Sequence, residues 1–285
     1  MKVCLIDVGG GMRGIYAAGV LDRCLDLGIS FDFGIGVSAG CANISAFIAG
    51  QKKRNYQFYS EYALRKDYMS MRNLLSKHMY LDLNYGYSVL SNSDGENPLD
   101  YDTFSKNPMG LVAVATNALT GKAKYFDKSD VSQNHYEVLK ASAAIPLVSK
   151  PIVIYSTPYF DGAASDPIPI NKAFELGCDK IVLLVTKPRN FIRRPIKDKV
   201  IASAIRKKYP AAAKQFVQRA KLYNDGMEKA KEYEKQGKLL IIAPDDTCGV
   251  DTLTKDKSAM DRLYQKGYAD GDKIQSFLDN HITSH

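Results

Sequence analysis

The chain has 285 residues, 45% of them hydrophobic and 25% charged, with a formal net charge of +8. That composition supports a sizeable apolar core and excludes a disordered or collagen-like chain. No uninterrupted apolar run reaches the roughly 18 residues of a bilayer span, and the scattered cysteines (Cys4, Cys24, Cys41, Cys178, Cys248) form no CxxC pair or metal-ligand cluster, which argues for reduced thiols over a disulfide scaffold.

Strand-length apolar runs alternate with helix-period segments, the pattern of an α/β sheet wound with helices. Val3–Asp7 reads as a buried strand, Gly9–Gly11 as a loop and Ile15–Leu27 as a helix stopped by Gly28. Phe31–Val37 is a second strand, and Ala39–Ala49 is a helix of small residues closed by Gly50. From Gln51 to Asn97 the pattern loosens into a tyrosine-rich excursion, helical in parts, ending in the polar stretch Ser91–Pro98. Excursions near strand ends often carry binding function. Leu111–Thr116 and Lys124–Phe126 return to the sheet around a turn at Thr120-Gly121, and Tyr136–Ala144 is a helix stopped by Pro146. Ile152–Tyr155 and Tyr159–Phe160 bracket a Ser-Thr-Pro turn and predict a hairpin leading into Asp161. A helix at Asn171–Leu176 and a buried strand at Ile181–Val185 follow. Basic helices at Lys197–Lys208 and Ala211–Lys235 precede a late strand, Leu239–Ala243, and a final helix, Lys255–Leu278.

No repeat, low-complexity tract or linker interrupts this order. One domain over residues 1–285 is therefore expected, with its motifs in 1–190 and a basic helical part in 191–285. The start on a strand, with no charged and then apolar leader, predicts a cytoplasmic protein. The positive charge is uneven: Arg193, Arg194, Lys197, Lys199, Arg206, Lys207, Lys208, Lys214, Arg219 and Lys221 all lie between Arg189 and Lys238. Such a surface draws anionic partners, whether phospholipid, nucleic acid or a phosphorylated solute, or is simply a solvated helix face.

Three local features carry chemistry. Gly36-Val37-Ser38-Ala39-Gly40 is a G-x-S-x-G between a strand and a helix, where a sharp turn leaves the serine at its apex beside the helix N-terminus. The alternative is a serine that merely caps a buried helix. Asp7-Val8-Gly9-Gly10-Gly11-Met12-Arg13-Gly14 sits between the first strand and first helix, where successive glycine amides form an anion-binding nest. A P-loop is excluded because no Lys-Ser/Thr follows the glycines. A dinucleotide site lacks the acidic residue expected about 20 positions on, and the second strand ends on Ser38 instead. An oxyanion is the better guest. The third feature, Asp161-Gly162-Ala163, is by itself ordinary turn chemistry.

The available histidines are His78, His135, His281 and His285. An α/β-hydrolase triad runs Ser, Asp or Glu, then His in chain order. Only His281 and His285 follow Asp161, at the mobile end of the chain, and His135 precedes it on a predicted helix. A histidine triad is therefore disfavoured, leaving a pair in which a carboxylate takes the serine proton.

Together and in this order, Asp-x-Gly-Gly-Gly-x-Arg-Gly at 7–14, Gly-x-Ser-x-Gly at 36–40 and Asp-Gly-Ala at 161–163 resemble the patatin-like phospholipases. Ala141-Ser142-Ala143-Ala144-Ile145-Pro146 is similar to that family's Ala-Ser-x-Ala-x-Pro segment. Pro167, Pro169 and the run Leu176–Val182 are similar to its closing strand. The likeness covers roughly residues 1–190 and looks most like compact bacterial members. It implies a three-layer α/β/α fold whose sheet carries a nucleophile elbow, with Ser38 as nucleophile and Asp161 as base. It also implies an oxyanion held by the amides of Gly9, Gly10 and Gly11, with Arg13 supporting that loop. The implied substrate is a lipid or other acyl ester, with no cofactor or metal and no nucleic-acid partner. The tyrosine-rich residues 56–87 and the basic helices either dock on an anionic membrane or cover the sheet edge. Two other functions remain open: a soluble carboxylesterase or thioesterase using the same pair, and a non-catalytic module that binds an anionic ligand at the glycine loop.

Overall fold

A computed structural model describes residues 1–279. Its strands are β1 (Val3–Asp7), β2 (Phe33–Val37), β3 (Gly110–Asn117), β4 (Ala123–Asp127), β5 (Ile152–Ile154), β6 (Thr157–Asp161), β7 (Lys180–Leu184) and β8 (Leu239–Ile242). The helices on the N-terminal side are α1 (Ile15–Asp26), α2 (Ala39–Ile48), α3 (Arg54–Ser60), α4 (Met71–Lys77), α5 (Tyr101–Lys106) and α6 (Glu137–Ser142). They are followed by α7 (Ile170–Glu175), α8 (Ile196–Ile205), α9 (Pro210–Lys235), α10 (Lys257–Asp270) and α11 (Asp272–Asp279).

All the strands join one sheet in the order β5-β6-β3-β2-β1-β7-β8, with β4 also on β3. β1 lies between β2 and β7, parallel to both, and β1 and β7 are buried at every residue. Burial on two faces is why these strands read as unbroken apolar runs rather than alternating ones. Successive side chains still part to opposite faces. Leu5, Val182 and Leu184 join the core beneath α1, α2 and α10. Cys4, Ile6, Ile181 and Leu183 meet Ile170 and Ala173 of α7 and Tyr223, Met227 and Ala230 of α9. The result is a three-layer α/β/α fold.

One feature of the sheet places the chemistry. β4 pairs with Val112–Thr116 along one edge of β3, so β2 and β6 must share the other. β2 runs parallel to β3 and stops with Val37 opposite Val114. β6 runs antiparallel and stops with Asp161 opposite Ala115. The two strands thus meet end to end, and the residue after one faces the last residue of the other.

Two elements differ from expectation. The hairpin turn is Tyr155-Ser156, both with positive φ (46° and 65°), so Thr157 and Pro158 belong to β6. A two-residue turn of this hand matches the strand twist. The expected final helix, Lys255–Leu278, is two helices parted at Gly271, where Asp272 turns its carboxylate onto Arg23 Nε of α1 (2.6 Å). Of the two readings left open for the tyrosine-rich excursion, burial fits covering: Tyr59, Tyr62, Tyr68 and Tyr87 are buried. The basic run divides as well. Lys199, Arg206, Lys207, Lys208, Lys214 and Lys221 are exposed, whereas Arg193 and Arg219 are half-buried. Among the described residues, no helix is long and apolar enough to cross a membrane.

Candidate active site

Ser38 occupies the turn between β2 and α2 with φ 58° and ψ −132°, a conformation that costs a non-glycine residue about 1–3 kcal/mol. The surrounding sequence makes this turn possible. A side chain at Gly40 would put its Cβ 2.1 Å from the Asp7 carbonyl oxygen, and one at Gly36 would lie 2.5 Å from Cys41 Cα. Ser142, at the end of α6, clamps the strained backbone. Its Oγ accepts from the Ser38 amide (2.9 Å) and donates to the Val114 carbonyl (2.6 Å).

Asp161 comes from the other strand end and is 1% exposed. Its amide donates to the Ala144 carbonyl (2.8 Å), and its Oδ1 accepts from the Ala163 amide (2.8 Å). Among the described residues its Oδ2 is buried with no aligned partner. The Ser38 hydroxyl is close enough to favour the charged carboxylate, but it does not complete a well-aligned hydrogen bond to that oxygen. Burial raises the Asp161 pKa, opposed first by the charge of Arg219, then by Ser38, the Ala163 amide and Arg193.

The glycine loop lies across the elbow with φ of 64°, 132° and 61° at Gly9, Gly10 and Gly11. Positive φ is accessible here because no side chain obstructs it. Asp7, fully buried at the end of β1, organises the loop. Its Oδ1 accepts from the Gly9 amide (2.8 Å) and its Oδ2 from Asn43 Nδ2 (2.8 Å). Burial pushes the Asp7 pKa up to about 6 despite both bonds. Thr186 Oγ1 donates to the Gly9 carbonyl (2.5 Å). The Gly9 amide is therefore engaged within the loop, whereas the amides of Gly10 and Gly11 have no protein acceptor among the described residues. Of the three amides expected to hold an oxyanion, that of Gly9 already donates to a carboxylate two residues away.

Arg13 is buried behind the loop, bound to Asp251 Oδ1 (2.5 Å) and Thr252 Oγ1 (3.1 Å). Burial lowers its pKa, opposed by Asp251. The Thr252 carbonyl also accepts from the Met12 amide (3.1 Å). Two cavities open on Ser38. One is a narrow apolar slot of about 70 Å³ walled by Phe58, Tyr68, Leu81, Leu83, Tyr87 and Leu139. The other is a polar chamber of about 420 Å³ that also holds Gly10, Gly11, Arg13 and Asp161. Among the described residues no histidine lines either cavity: His78 and His135 are exposed, and His135 sits ahead of α6 rather than on it. His281 and His285 lie outside the described residues. No group of three or more His, Cys, Asp or Glu among the described residues is placed to hold a metal ion.

The structure thus brings together Ser38, Asp161, the glycine loop and Arg13. The sequence reading missed Asp7, Asn43, Ser142, Thr186, Asp198, Arg219, Asp251 and Thr252 as parts of the site. Asp7 and Ser142 stood inside noted motifs; the others carry no local signal.

Ser38 thus stands at a strained strand-to-helix turn of an α/β fold, faced by the buried carboxylate of Asp161 and overhung by the free amides of Gly10 and Gly11. The family model described as patatin-like phospholipase matches residues 8–174, and the chain belongs to that family. At the level of the family this means lipid acyl hydrolases. A second model, a domain of unknown function (DUF6363), matches residues 209–279. The chain is 28% identical to YjjU of Escherichia coli (strain K12) over 199 residues, 68% of this chain and 54% of that protein. It therefore spans about half the length of this curated relative. Its fold is similar to the crystal structure of VipD from Legionella pneumophila, with a TM-score of 0.53 and 15% identity over 98% of this chain and 67% of that one.

Proposed function

We propose that the protein is a serine acyl hydrolase of lipid esters in which Asp161 is the base for Ser38 and no histidine takes part. The observation that carries this reading is the end-to-end meeting of a strained serine and a buried carboxylate with one oxygen free. Ser38 Oγ attacks the ester carbonyl and its proton passes to Asp161. The tetrahedral oxyanion is held by the amides of Gly10 and Gly11, with Gly9 and Arg13 keeping the loop in shape. Collapse expels the alcohol, which takes the proton from Asp161 and leaves an acyl-serine. Water then attacks the acyl-serine, gives its proton to Asp161, and releases the acid and the free serine.

An aspartate with an ordinary pKa of about 3.9 is a poor base for a hydroxyl. Burial raises the basicity of Asp161, and each good oxyanion donor in comparable sites contributes about 3–4 kcal/mol. We read residues 1–285 as one domain, since β8 and α10 from the second matched stretch pack into the same sheet and core. The free cysteines suit a reducing, cytoplasmic setting, and the exposed basic helices suit peripheral contact with an anionic membrane.

A fluorophosphonate probe tests the core of this reading. Wild type should label, Ser38→Ala should not, and Asp161→Asn should lose at least about 10³-fold in kcat/KM on esters. Failure of wild type to label or to hydrolyse any ester would sink it. The slot of about 70 Å³ favours a second reading, a soluble short-chain ester. A long acyl chain requires the tyrosine-lined wall to open. Comparing butyryl with palmitoyl esters of one alcohol separates the two.

A further inference from the structure

The polar chamber gathers positive charge on the side of Ser38 away from the apolar slot. Four cations line it: Arg13 from the glycine loop, and Arg193, Lys197 and Arg219 from the C-terminal region. They share two carboxylates besides Asp161. Arg193 holds Asp198 with a two-pronged contact, Nε to Oδ2 (2.9 Å) and Nη2 to Oδ1 (2.7 Å). Arg219 only approaches the same Oδ1 at 3.5 Å and makes no other polar contact among the described residues. Asp251 is shared likewise, by Arg13 at 2.5 Å and Lys197 at 3.7 Å. Asp198 is fully buried and the Arg219 side chain is 14% exposed, so this is a built wall and not a mobile surface.

Arg219 is half-buried, and its unpaired nitrogens open onto the chamber rather than into packed protein. Arg219 has a rigid fork of donors suited to an oxyanion with several acceptor oxygens, and nearly all of that fork is unused. Geometry also fixes which part of a substrate lies here. The apolar slot and the chamber share a wall that includes Ser38, with Gly11, Ile145, Thr252 and Leu253 beside it. An ester bonded at Ser38 with its acyl chain in the slot therefore places its alcohol in the chamber.

We propose that Arg193, Lys197 and Arg219 form a subsite for a phosphate on the alcohol side of the ester, so that the enzyme selects net-anionic leaving groups. This rests on the hydrolase reading for the position of the ester; of the three residues, Arg219 lies in the stretch matched as a domain of unknown function, and Arg193 and Lys197 lie between the two matched stretches. A chamber of about 420 Å³ accommodates a glycerol phosphate. It disfavours phosphocholine, because no aromatic ring lines it to receive a quaternary ammonium, and Lys197, Arg193 and Arg219 repel one.

The test uses the full chain and three leaving groups on one acyl chain: glycerol, glycerol phosphate and glycerophosphocholine, each as hexanoyl and oleoyl esters. Wild type should prefer the phosphate ester by about tenfold or more in kcat/KM. Lys197→Ala and Arg219→Gln should each reduce that ratio at least about threefold; Lys197 is 88% exposed, so its replacement does not disturb the fold. The faster chain length shows whether the phosphate belongs to a lipid or to a soluble ester. Equal rates on all three leaving groups overturn the subsite while leaving the hydrolase reading intact. So does a preference confined to aggregated oleoyl esters, which is then a property of the lipid surface. Titration of glycerol 3-phosphate into Ser38→Ala protein gives an independent answer: binding that Lys197→Ala weakens supports the subsite, and no binding at millimolar ligand refutes it even if every ester proves inert.

Discussion

Ser142→Ala isolates how the elbow is held. The hydroxyl makes two short bonds, accepting from the Ser38 amide and donating to the Val114 carbonyl, in a region where Ser38 is 5% exposed and Val114 is fully buried. Deleting one partner leaves a buried amide unpaired at about 1–3 kcal/mol, and the second bond contributes about 1 kcal/mol more. The expected loss of stability is therefore about 2–4 kcal/mol, measured by urea denaturation. The loss should also appear in catalysis. Ser38 sits at φ 58° against a local strain of about 1–3 kcal/mol. Without its clamp the turn relaxes, and a displacement of about 1 Å at a reacting group costs about 10²-fold. Fluorophosphonate labelling should slow by about 30–100-fold. Cys41→Ala serves as the control, because Cys41 Sγ only donates to the same oxygen (3.1 Å) and its removal leaves the Ser38 amide bonded. Labelling within twofold of wild type, together with a stability loss under about 0.5 kcal/mol, would refute the clamp.

Two further predictions concern protons. The Asp7 pKa is raised from 3.8 to about 6 in the folded chain, so the native state binds the extra proton between those values. Its stabilising contribution is complete below the unfolded pKa and is lost as pH rises through about 6, a change of about 3 kcal/mol. Asp7→Asn removes that slope. The wild-type-minus-variant stability should fall by this amount between pH 4 and pH 7, and a difference that stays flat across the window would exclude the buried carboxylate as its source. For Asp161, the cation that most opposes its raised pKa is Arg219. Arg219→Gln should move the acid limb of the kcat/KM profile to higher pH, because less positive charge favours the protonated acid; a limb that stays in place or moves down contradicts the pairing.

Much of the fold was legible because it rests on local pattern. β1 and β7 are buried on both faces and so are written as apolar runs, while Gly28 and Gly50 end α1 and α2 with a φ of 66° each. The elbow and the glycine loop are turns of a few residues whose backbone demands glycine at fixed positions. The final helix was misread because Gly271 breaks a period that otherwise continues, and the sequence does not announce the contact between Arg23 and Asp272 that rewards the break. The rest of the site was hidden by distance along the chain. Ser142 is 104 residues from the amide it holds, Thr186 is 177 from Gly9, and Asp251 is 238 from Arg13. Pairings of that span leave no periodicity and no local turn chemistry to read.

The proposed Ser38–Asp161 pair needs a structural reason to work without histidine. In a triad, histidine bridges a gap between the hydroxyl and a carboxylate. In this sheet β2 and β6 share one edge of β3 and end head to head, which brings Ser38 and Asp161 together with no further strand between them. Burial raises the pKa of that carboxylate, and nearby cations oppose the shift. Burial comes from the strand ends, and the cations Arg219 and Arg193 come from beyond residue 190. The stretch matched by the family model carries Ser38, Asp161 and the glycine loop, whereas the two cations that oppose the raised Asp161 pKa, Arg193 in the segment before α8 and Arg219 on α9, follow it. On the proposed reading residues 8–174 alone would lack the two cations that oppose the raised pKa of Asp161.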